Sequence, residues 1–288
     1  MVVCLSGECP YIGRMSKARA AIIPVTLFQQ NCTLLWEEGS KRGVVIDPGG
    51  NLDRIREAIA QSGVTVEKIL LTHGHIDHAG AAAELKDELG VPVEGPHRAD
   101  KPLLDHLAET GRQYGIAARP VTPDRWLAEG DTVDVGGMTF GVLHCPGHSL
   151  GSVVFTNIGQ RFAVVGDVLF QGSVGRTDLP GGDHAALINA IKTKLLPLGD
   201  DVAFICGHGP ASTIGNERKT NPFLQLRQCP GRGAAFLRCA ADPGPSGHVL
   251  GRSRVCAASF HAASRPGYGD RITGYQPSRG RPEQQARG

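Results

Sequence analysis

Aromatic residues are scarce in this chain: Phe, Tyr and Trp make up 5% of 288 residues, with two Trp and four Tyr. No apolar run approaches the ~20 residues that a bilayer span needs, so no membrane partner is expected. The first residues show no basic head followed by an apolar stretch, and no secretory leader is read there. The eight cysteines do not make a disulfide framework. Cys4 and Cys9 lie near the start, and Cys229, Cys239 and Cys256 near the end. Only Cys32, Cys145 and Cys206 lie in the body, each inside an apolar, strand-like run. Such thiols read as small buried hydrophobes in a reducing compartment, so the expected location is cytoplasmic.

What is present is enough to fold. A hydrophobic content of 41% permits a real core, and the length fits one large or two smaller domains. Charge is unevenly placed. Residues 229–288 hold nine Arg, no Lys and three acids, a net of +6; the whole chain is +2, so residues 1–228 carry −4. The mildly acidic body makes no case for a nucleic-acid partner. The only hint of one is the set of Arg-Gly pairs in the tail, which are scattered and lack accompanying aromatics. Ten Gly and six Pro also fill that tail, and few apolar residues recur with any period. The expected organisation is a leader over 1–19 without periodicity (Met15 is an alternative start), a folded body over 20–228, and a disordered tail over 229–288.

The stretch Thr72-His73-Gly74-His75-Ile76-Asp77-His78 dominates the body. The apolar Lys68-Ile69-Leu70-Leu71 precedes it and an Ala-rich helical stretch, Ala79 to Leu89, follows, so the context reads strand, loop, helix. His73 and His75, two apart in an extended loop, can face one point while Asp77 and His78 turn toward another. Imidazole nitrogens with a carboxylate suit zinc, iron or manganese. The bland alternative is a polar loop with solvated histidines. Against it, ligand-type residues recur just past other strands: His148 after Met138–Cys145, Asp167 after Arg161–Val165, and His208 after Val202–Cys206. Strands are also read at Ala21–Val25, Cys32–Trp36, Val44–Ile46, Val91–Val93, Thr132–Val135 and Ser152–Thr156. Helices are read from Leu52 to Ser62, from Lys101 to Tyr114, and from His184 to Leu195 with Asp183 as its cap. Two β-rich halves with interspersed helices imply two sheets face to face with helices outside.

The pattern His-x-His-x-Asp-His resembles the metallo-β-lactamase superfamily, over Ala20 to about Leu226. The resemblance implies an α/β (α+β) fold, a four-layer αββα sandwich, and two divalent metal ions, zinc or iron, with manganese also admissible. His73, His75 and His148 look like the first metal site, Asp77, His78 and His208 like the second, and Asp167 like the carboxylate shared by both. In such a site a bridging water becomes a nucleophile at cellular pH, and Asp77 would also orient it, which is its catalytic role.

Further motifs narrow the match. His144-Cys145-Pro146-Gly147-His148-Ser149, Gly172-Ser173-Val174-Gly175-Arg176-Thr177-Asp178, Gly207-His208-Gly209-Pro210, Gly215-Asn216-Glu217-Arg218 and Asn221-Pro222-Phe223-Leu224 resemble the short bacterial type of glyoxalase II, a hydroxyacylglutathione hydrolase. That implies hydrolysis of a glutathione-type thioester such as S-lactoylglutathione, in methylglyoxal detoxification. A thiol leaving group with a pKa of ~8.5 needs little acid catalysis, so metal ligands alone can suffice. Longer enzymes of this type carry a helical glutathione-binding domain and a Glu-Tyr pair after the last His; here Gly209-Pro210 follows His208.

Arg176, in a glycine-rich loop near Asp167, is the candidate for a substrate anion contact; the competing reading is an ion pair with Asp178. Asp47 is read as hydrogen bonding to a ligating His. His144 is read as packed on a strand face, His184 as exposed, and His97 and His106 as lacking companions. Cys145 has no base placed for it. Two other readings stand beside the hydrolase. A mono-iron persulfide dioxygenase of the same fold would use His73, His148 and Asp167 only. A non-catalytic metal-binding module would not need all seven residues.

Overall fold

The structure is a computed structural model that describes residues 17–225, together with the backbone of residues 2–4. The tail expected over 229–288, and the leader apart from residues 2–4 and 17–19, lie outside the described residues. Strands β1 (Val2–Cys4), β2 (Ala18–Val25), β3 (Gln30–Glu37), β4 (Arg42–Ile46), β5 (Thr65–Leu70) and β6 (Val93–Glu94) form one six-stranded sheet in that order. Its first four strands run antiparallel, whereas β4, β5 and β6 are parallel. Strands β7 (Thr132–Val135), β8 (Met138–His144), β9 (Val153–Asn157) and β10 (Phe162–Gly166) belong to a second six-stranded sheet. A small hairpin, β11 (Leu169–Phe170) with β12 (Ser173–Val174), follows β10. Strands β13 (Ala203–Cys206) and β14 (Ser212–Thr213) then complete the second sheet in the order β14-β13-β10-β9-β8-β7, with β10 and β13 parallel.

Residue alternation decides the layers. Side chains on a strand point to opposite faces in turn, and here both faces are buried. Leu35, Val44, Ile46 and Leu70 of the first sheet meet Phe140, Val142, Phe155, Phe162 and Val164 of the second. Their neighbours Leu34, Val45 and Ile69 face outward against Leu52 and Ile55 of α1 (Leu52–Ser62), Leu85 of α3 (Ala82–Leu89), and Leu104 and Leu107 of α4 (Lys101–Asp105) and α5 (Leu107–Tyr114). On the far side, Val154, Ala163, Val165 and Phe204 face Leu187 and Ile188 of α6 (His184–Ala190) and Ile191 and Leu195 of the π-helical turn that continues it. Three apolar seams between four layers make this an αββα sandwich. The few aromatics are spent where they fill most volume: Phe140, Phe155, Phe162 and Phe204 are fully buried, and each stabilises by about 1.5–3 kcal/mol. Cys32, Cys145 and Cys206 are free and buried as the sequence implied. Among the described residues no helix is long and apolar enough to cross a membrane.

Two helix boundaries differ from the sequence reading. A helical turn, α2 (Ile76–Ala79), begins inside the His motif rather than after it. Buried Ile76 packs into the seam between the first sheet and its helices, and the amides of His78 and Ala79 bond back to the His75 carbonyl at 3.1 and 2.9 Å. The single helix expected over 101–114 breaks at His106, whose φ of −99° and ψ of 10° separate α4 from α5. The hairpin β11–β12 was not foreseen, because two-residue strands carry no periodicity.

Candidate metal centre

The ends of β4, β5, β8, β10 and β13 open onto one edge of the sandwich, and each delivers a polar residue there. Backbone bonds tie the two sheets together at this edge: Val153 N to Thr72 O at 2.8 Å and Asn31 N to Gly207 O at 2.7 Å. The Asn31 side chain adds Nδ2 bonds to the carbonyls of Cys206 and Gly209 at 2.9 and 2.8 Å. The loops that carry the site are therefore pinned to rigid strand ends.

His73, His75 and His148 bring one ring nitrogen each within 4.8 Å of one another, and Asp77, His78 and His208 form a second such group. Asp167 stands between the two. Its Oδ1 lies 3.4 Å from His78 Nε2, and its Oδ2 lies 3.5 Å from both His148 Nε2 and His208 Nε2. Asp77 Oδ2 lies 3.2 Å from His208 Nε2. All seven residues singled out in the sequence thus meet in one place.

The far side of each ring decides which nitrogen is offered. Carbonyl oxygens only accept, so His148 Nδ1 donates to Arg176 O at 2.8 Å and His208 Nδ1 donates to Phe28 O at 3.2 Å. His78 Nδ1 lies 2.9 Å from Asp47 Oδ2 and donates to it. Thr72 Oγ1 donates to the same carboxylate oxygen at 2.6 Å, so it is left to accept from His73 Nδ1 at 3.1 Å. Four imidazoles therefore turn Nε2 inward. His75 differs, with Nδ1 facing His148 Nε2 at 2.9 Å. Asp47 also lies within reach of His73 and His78, but its oxygens are occupied by Thr72 and His78, so it orients rings rather than joining them. That matches the role the sequence gave it.

Buried polar atoms normally find partners, and each one left without costs about 1–3 kcal/mol. His73 Nε2, His78 Nε2 and Asp167 Oδ1 are all buried without one among the described residues. Gly207 keeps this space open: a Cβ there would overlap Asp167 Oδ1 and lie 2.6 Å from His78 Cε1. Neutral imidazole nitrogens and carboxylate oxygens converging on a cleared volume are the donor set of a divalent transition metal.

Electrostatics divide the site into halves. Burial pushes the His73 imidazole well below its usual pKa, and burial with neighbouring His148 brings His75 down to about 4. Both are neutral at cellular pH. Burial also opposes protonation of His78, but Asp167, Asp77 and Asp47 outweigh it and raise the group well above its usual value. His208 rises to about 9 despite burial, through Asp167 and Asp77. Burial pushes the Asp167 and Asp77 carboxyls up, yet the adjacent imidazoles hold both below the ordinary range. The second half thus carries excess negative charge that positive charge must meet.

One supporting residue had escaped the sequence reading. Asp100 is buried, and its Oδ2 accepts from Gly74 N at 2.9 Å and Ser149 Oγ at 2.7 Å, while Oδ1 accepts from Gly151 N at 2.6 Å. It ties the loop bearing His73 and His75 to the loop bearing His148. Burial raises its pKa although those three donors pull the other way. The available signal was the glycine between the two histidines, where a Cβ would lie 3.3 Å from Asp100 Cβ and 2.8 Å from Leu103 Cβ.

The other candidates sort themselves out. Arg176 forms a two-pronged pair with Asp178, Nε to Oδ1 at 2.7 Å and Nη2 to Oδ2 at 2.8 Å, and both side chains are exposed. His144 is packed as expected, with Nε2 2.9 Å from Leu150 O. His97 does have a companion: it stacks on His144 with ring centroids 4.1 Å apart. His184 is half-buried with its ring 6.4 Å from that of Phe223, not exposed, because the short helix Pro222–Gln225 packs close by. Burial raises the Cys145 thiol to about 12, which suits an inert core residue.

Comparison with known proteins agrees with this geometry. The model of the metallo-β-lactamase superfamily matches residues 25–208. Hydroxyacylglutathione hydrolase GloC of Haemophilus influenzae is 46% identical over 208 residues, which cover 72% of this chain and 98% of that protein. Among solved structures, BLEG-1 B3 metallo-β-lactamase superposes with a TM-score of 0.67 at 38% identity, covering 72% of this chain and all of that one. TTHA1623, solved in a di-iron-bound form, gives 0.64 at 40% identity, covering 71% of this chain and all of that one. With its four layers, its His/Asp metal-binding cluster and a relative matched almost end to end, the chain belongs to the metallo-β-lactamase superfamily.

Proposed function

We propose that the chain is a hydroxyacylglutathione hydrolase of the glyoxalase II type, cleaving a glutathione thioester such as S-lactoylglutathione with the help of two divalent cations, zinc or iron. The observation that carries this reading is the convergence of three buried, unpartnered donor atoms, His73 Nε2, His78 Nε2 and Asp167 Oδ1, between two groups of ligand residues. His73, His75 and His148 would hold one cation, Asp77, His78 and His208 the other, and Asp167 would face both. When bound, such a pair supplies Lewis acidity that lowers the pKa of water from 15.7 to about 7 and polarises a carbonyl.

The chain's own residues supply the rest. Asp47, the Arg176 carbonyl and the Phe28 carbonyl each hold the Nδ1 proton of one ring, so Nε2 is the nitrogen that His78, His148 and His208 would offer a cation. Asp77, ionised and beside His208, can accept a hydrogen bond from the attacking water and hold its lone pair toward the substrate. No Ser or Cys nucleophile is required, and buried Cys145 and Cys206 are not placed to act as one. A mono-iron dioxygenase would leave Asp77, His78 and His208 without a task; here they form a charge-rich group of their own.

The 46% identity to GloC supports the thioester as substrate, while BLEG-1 makes a β-lactam the competing one. The deciding experiment offers the metal-loaded protein S-lactoylglutathione, a β-lactam and glutathione persulfide in parallel. Thioester hydrolysis that His148→Ala abolishes is the expected result. β-Lactam opening or oxygen uptake without thioester hydrolysis would overturn the proposal.

A further inference from the structure

Single apolar side chains on a surface are ordinary, but two exposed aromatic rings that meet beside a metal centre call for a reason. Phe28, in the turn between β2 and β3, and Tyr114, the last residue of α5, are both exposed, at 36% and 46%. Their rings meet edge to face with centroids 5.4 Å apart. Phe28 is anchored at the metal centre, since its carbonyl takes the Nδ1 proton of His208. Asp178 is the main influence that raises the Arg176 pKa, and the Tyr114 hydroxyl adds to it, which puts phenol and guanidinium within electrostatic reach. Arg176 is in turn anchored at the other half of the centre, its carbonyl taking the Nδ1 proton of His148. Phe28 and Arg176 therefore flank the centre, one holding His208 and the other His148 through its backbone carbonyl, and Tyr114 packs on Phe28.

This wall has two aromatic faces, one phenolic hydroxyl and one guanidinium. Asp178 occupies Nε and Nη2 of Arg176, leaving Nη1 with no partner among the described residues. Such a surface suits a flexible peptide-like group that ends in a carboxylate: aromatic faces cover its backbone, and the guanidinium edge and phenol receive the anion. It does not suit a small acyl group, which needs no cation. Resting on the hydrolase reading above, the matched relative sharpens the point. GloC is covered over 98% of its length by this chain, so a group that holds glutathione there falls within the aligned region.

We infer that Phe28, Tyr114 and Arg176 form the thiol-side subsite, which binds the glutathione portion of the substrate and leaves the acyl group to the metal centre. Tyr114 is then a specificity residue that contacts substrate.

Two measurements test this. The first is calorimetric titration of the metal-loaded protein with S-methylglutathione, which has the tripeptide but no thioester. Tyr114→Ala should weaken binding about tenfold, and Tyr114→Phe less, because only the hydroxyl contact is lost. The second compares S-lactoylglutathione with the lactoyl thioester of N-acetylcysteamine, which has the same acyl group without the tripeptide. The wild-type preference for the glutathione thioester should collapse in Tyr114→Ala through KM. Thermal unfolding and metal content of each variant separate a contact effect from misfolding. Equal losses on both thioesters, or unaltered S-methylglutathione binding by a folded Tyr114→Ala, overturn the subsite. If the wild type binds S-methylglutathione through Tyr114 but hydrolyses neither thioester, the subsite stands and the hydrolase reading falls.

Discussion

Replacing Asp47 by Asn tests whether the imidazole tautomers are set from behind. Asp47 has φ of 55°, a left-handed conformation that Asn tolerates well, so the backbone should not object. The size is unchanged too. What changes is the face shown to three donors: Thr72 N at 2.7 Å, Thr72 Oγ1 at 2.6 Å and His78 Nδ1 at 2.9 Å. An amide has one oxygen for the three. If that oxygen stays with Thr72 N, the NH2 faces His78 Nδ1, and the ring can answer only by moving its proton to Nε2. That proton would then point at Asp167 Oδ1, 3.4 Å away, where a cation should sit. Loss of a carboxylate behind a ligating His costs about 10–100-fold in metal affinity, or about 1.4–2.8 kcal/mol. The loss should fall on the cation held by Asp77, His78 and His208, with the other weakened far less. Titration of metal-free protein with zinc against a competing chelator reads both affinities. Turnover should return at high zinc. An Asp47→Asn protein that binds two cations with wild-type affinity would refute the tautomer argument.

Gly207→Ala places a Cβ into Asp167 Oδ1 and beside His78 Cε1; turnover should fall by about 100-fold, since a displacement of 1 Å at a reacting centre costs that much, and zinc titration should show the second cation lost. Asp100→Ala leaves the donors of Gly74, Ser149 and Gly151 unpaired, so thermal unfolding should report a loss of about 2–4 kcal/mol, and cation affinity at His73, His75 and His148 should fall with it. Truncation after Gln228 should leave folding and thioester turnover intact, as assay of the shortened chain will show; loss of either would mean that the tail belongs to the enzyme.

Much of the metal centre was legible because its residues share an address. His73, His148, Asp167 and His208 each follow a strand whose apolar alternation is plain in the sequence, and parallel neighbours such as β4 with β5 and β10 with β13 carry such ends to one edge. The layers were legible for the same reason: Leu34 and Leu35, or Val44 and Val45, must face opposite ways, and both faces are apolar. What stayed hidden depends on contacts that no local pattern encodes. Asp100 sits on a short turn between β6 and α4 and acts on residues 26, 49 and 51 positions away. Phe28 and Tyr114 are lone aromatics in unrelated segments, and only the folded chain brings them together. The ring nitrogen that each histidine offers depends on partners such as the Arg176 and Phe28 carbonyls, which carry no side-chain signature. Even Arg176 proved to do something the sequence could not show, holding His148 through its backbone while its side chain pairs with Asp178.

Two cations held between His73, His75, His148, Asp77, His78, Asp167 and His208 must serve one thioester hydrolysis. The most direct measurement is to strip the protein of metal, add back zinc or ferrous iron in steps, and follow bound metal by mass together with S-lactoylglutathione hydrolysis. Hydrolysis that climbs until two cations are bound per chain is the predicted result. Saturation at one iron, with oxygen consumed on glutathione persulfide and no thioester cleaved, would contradict it.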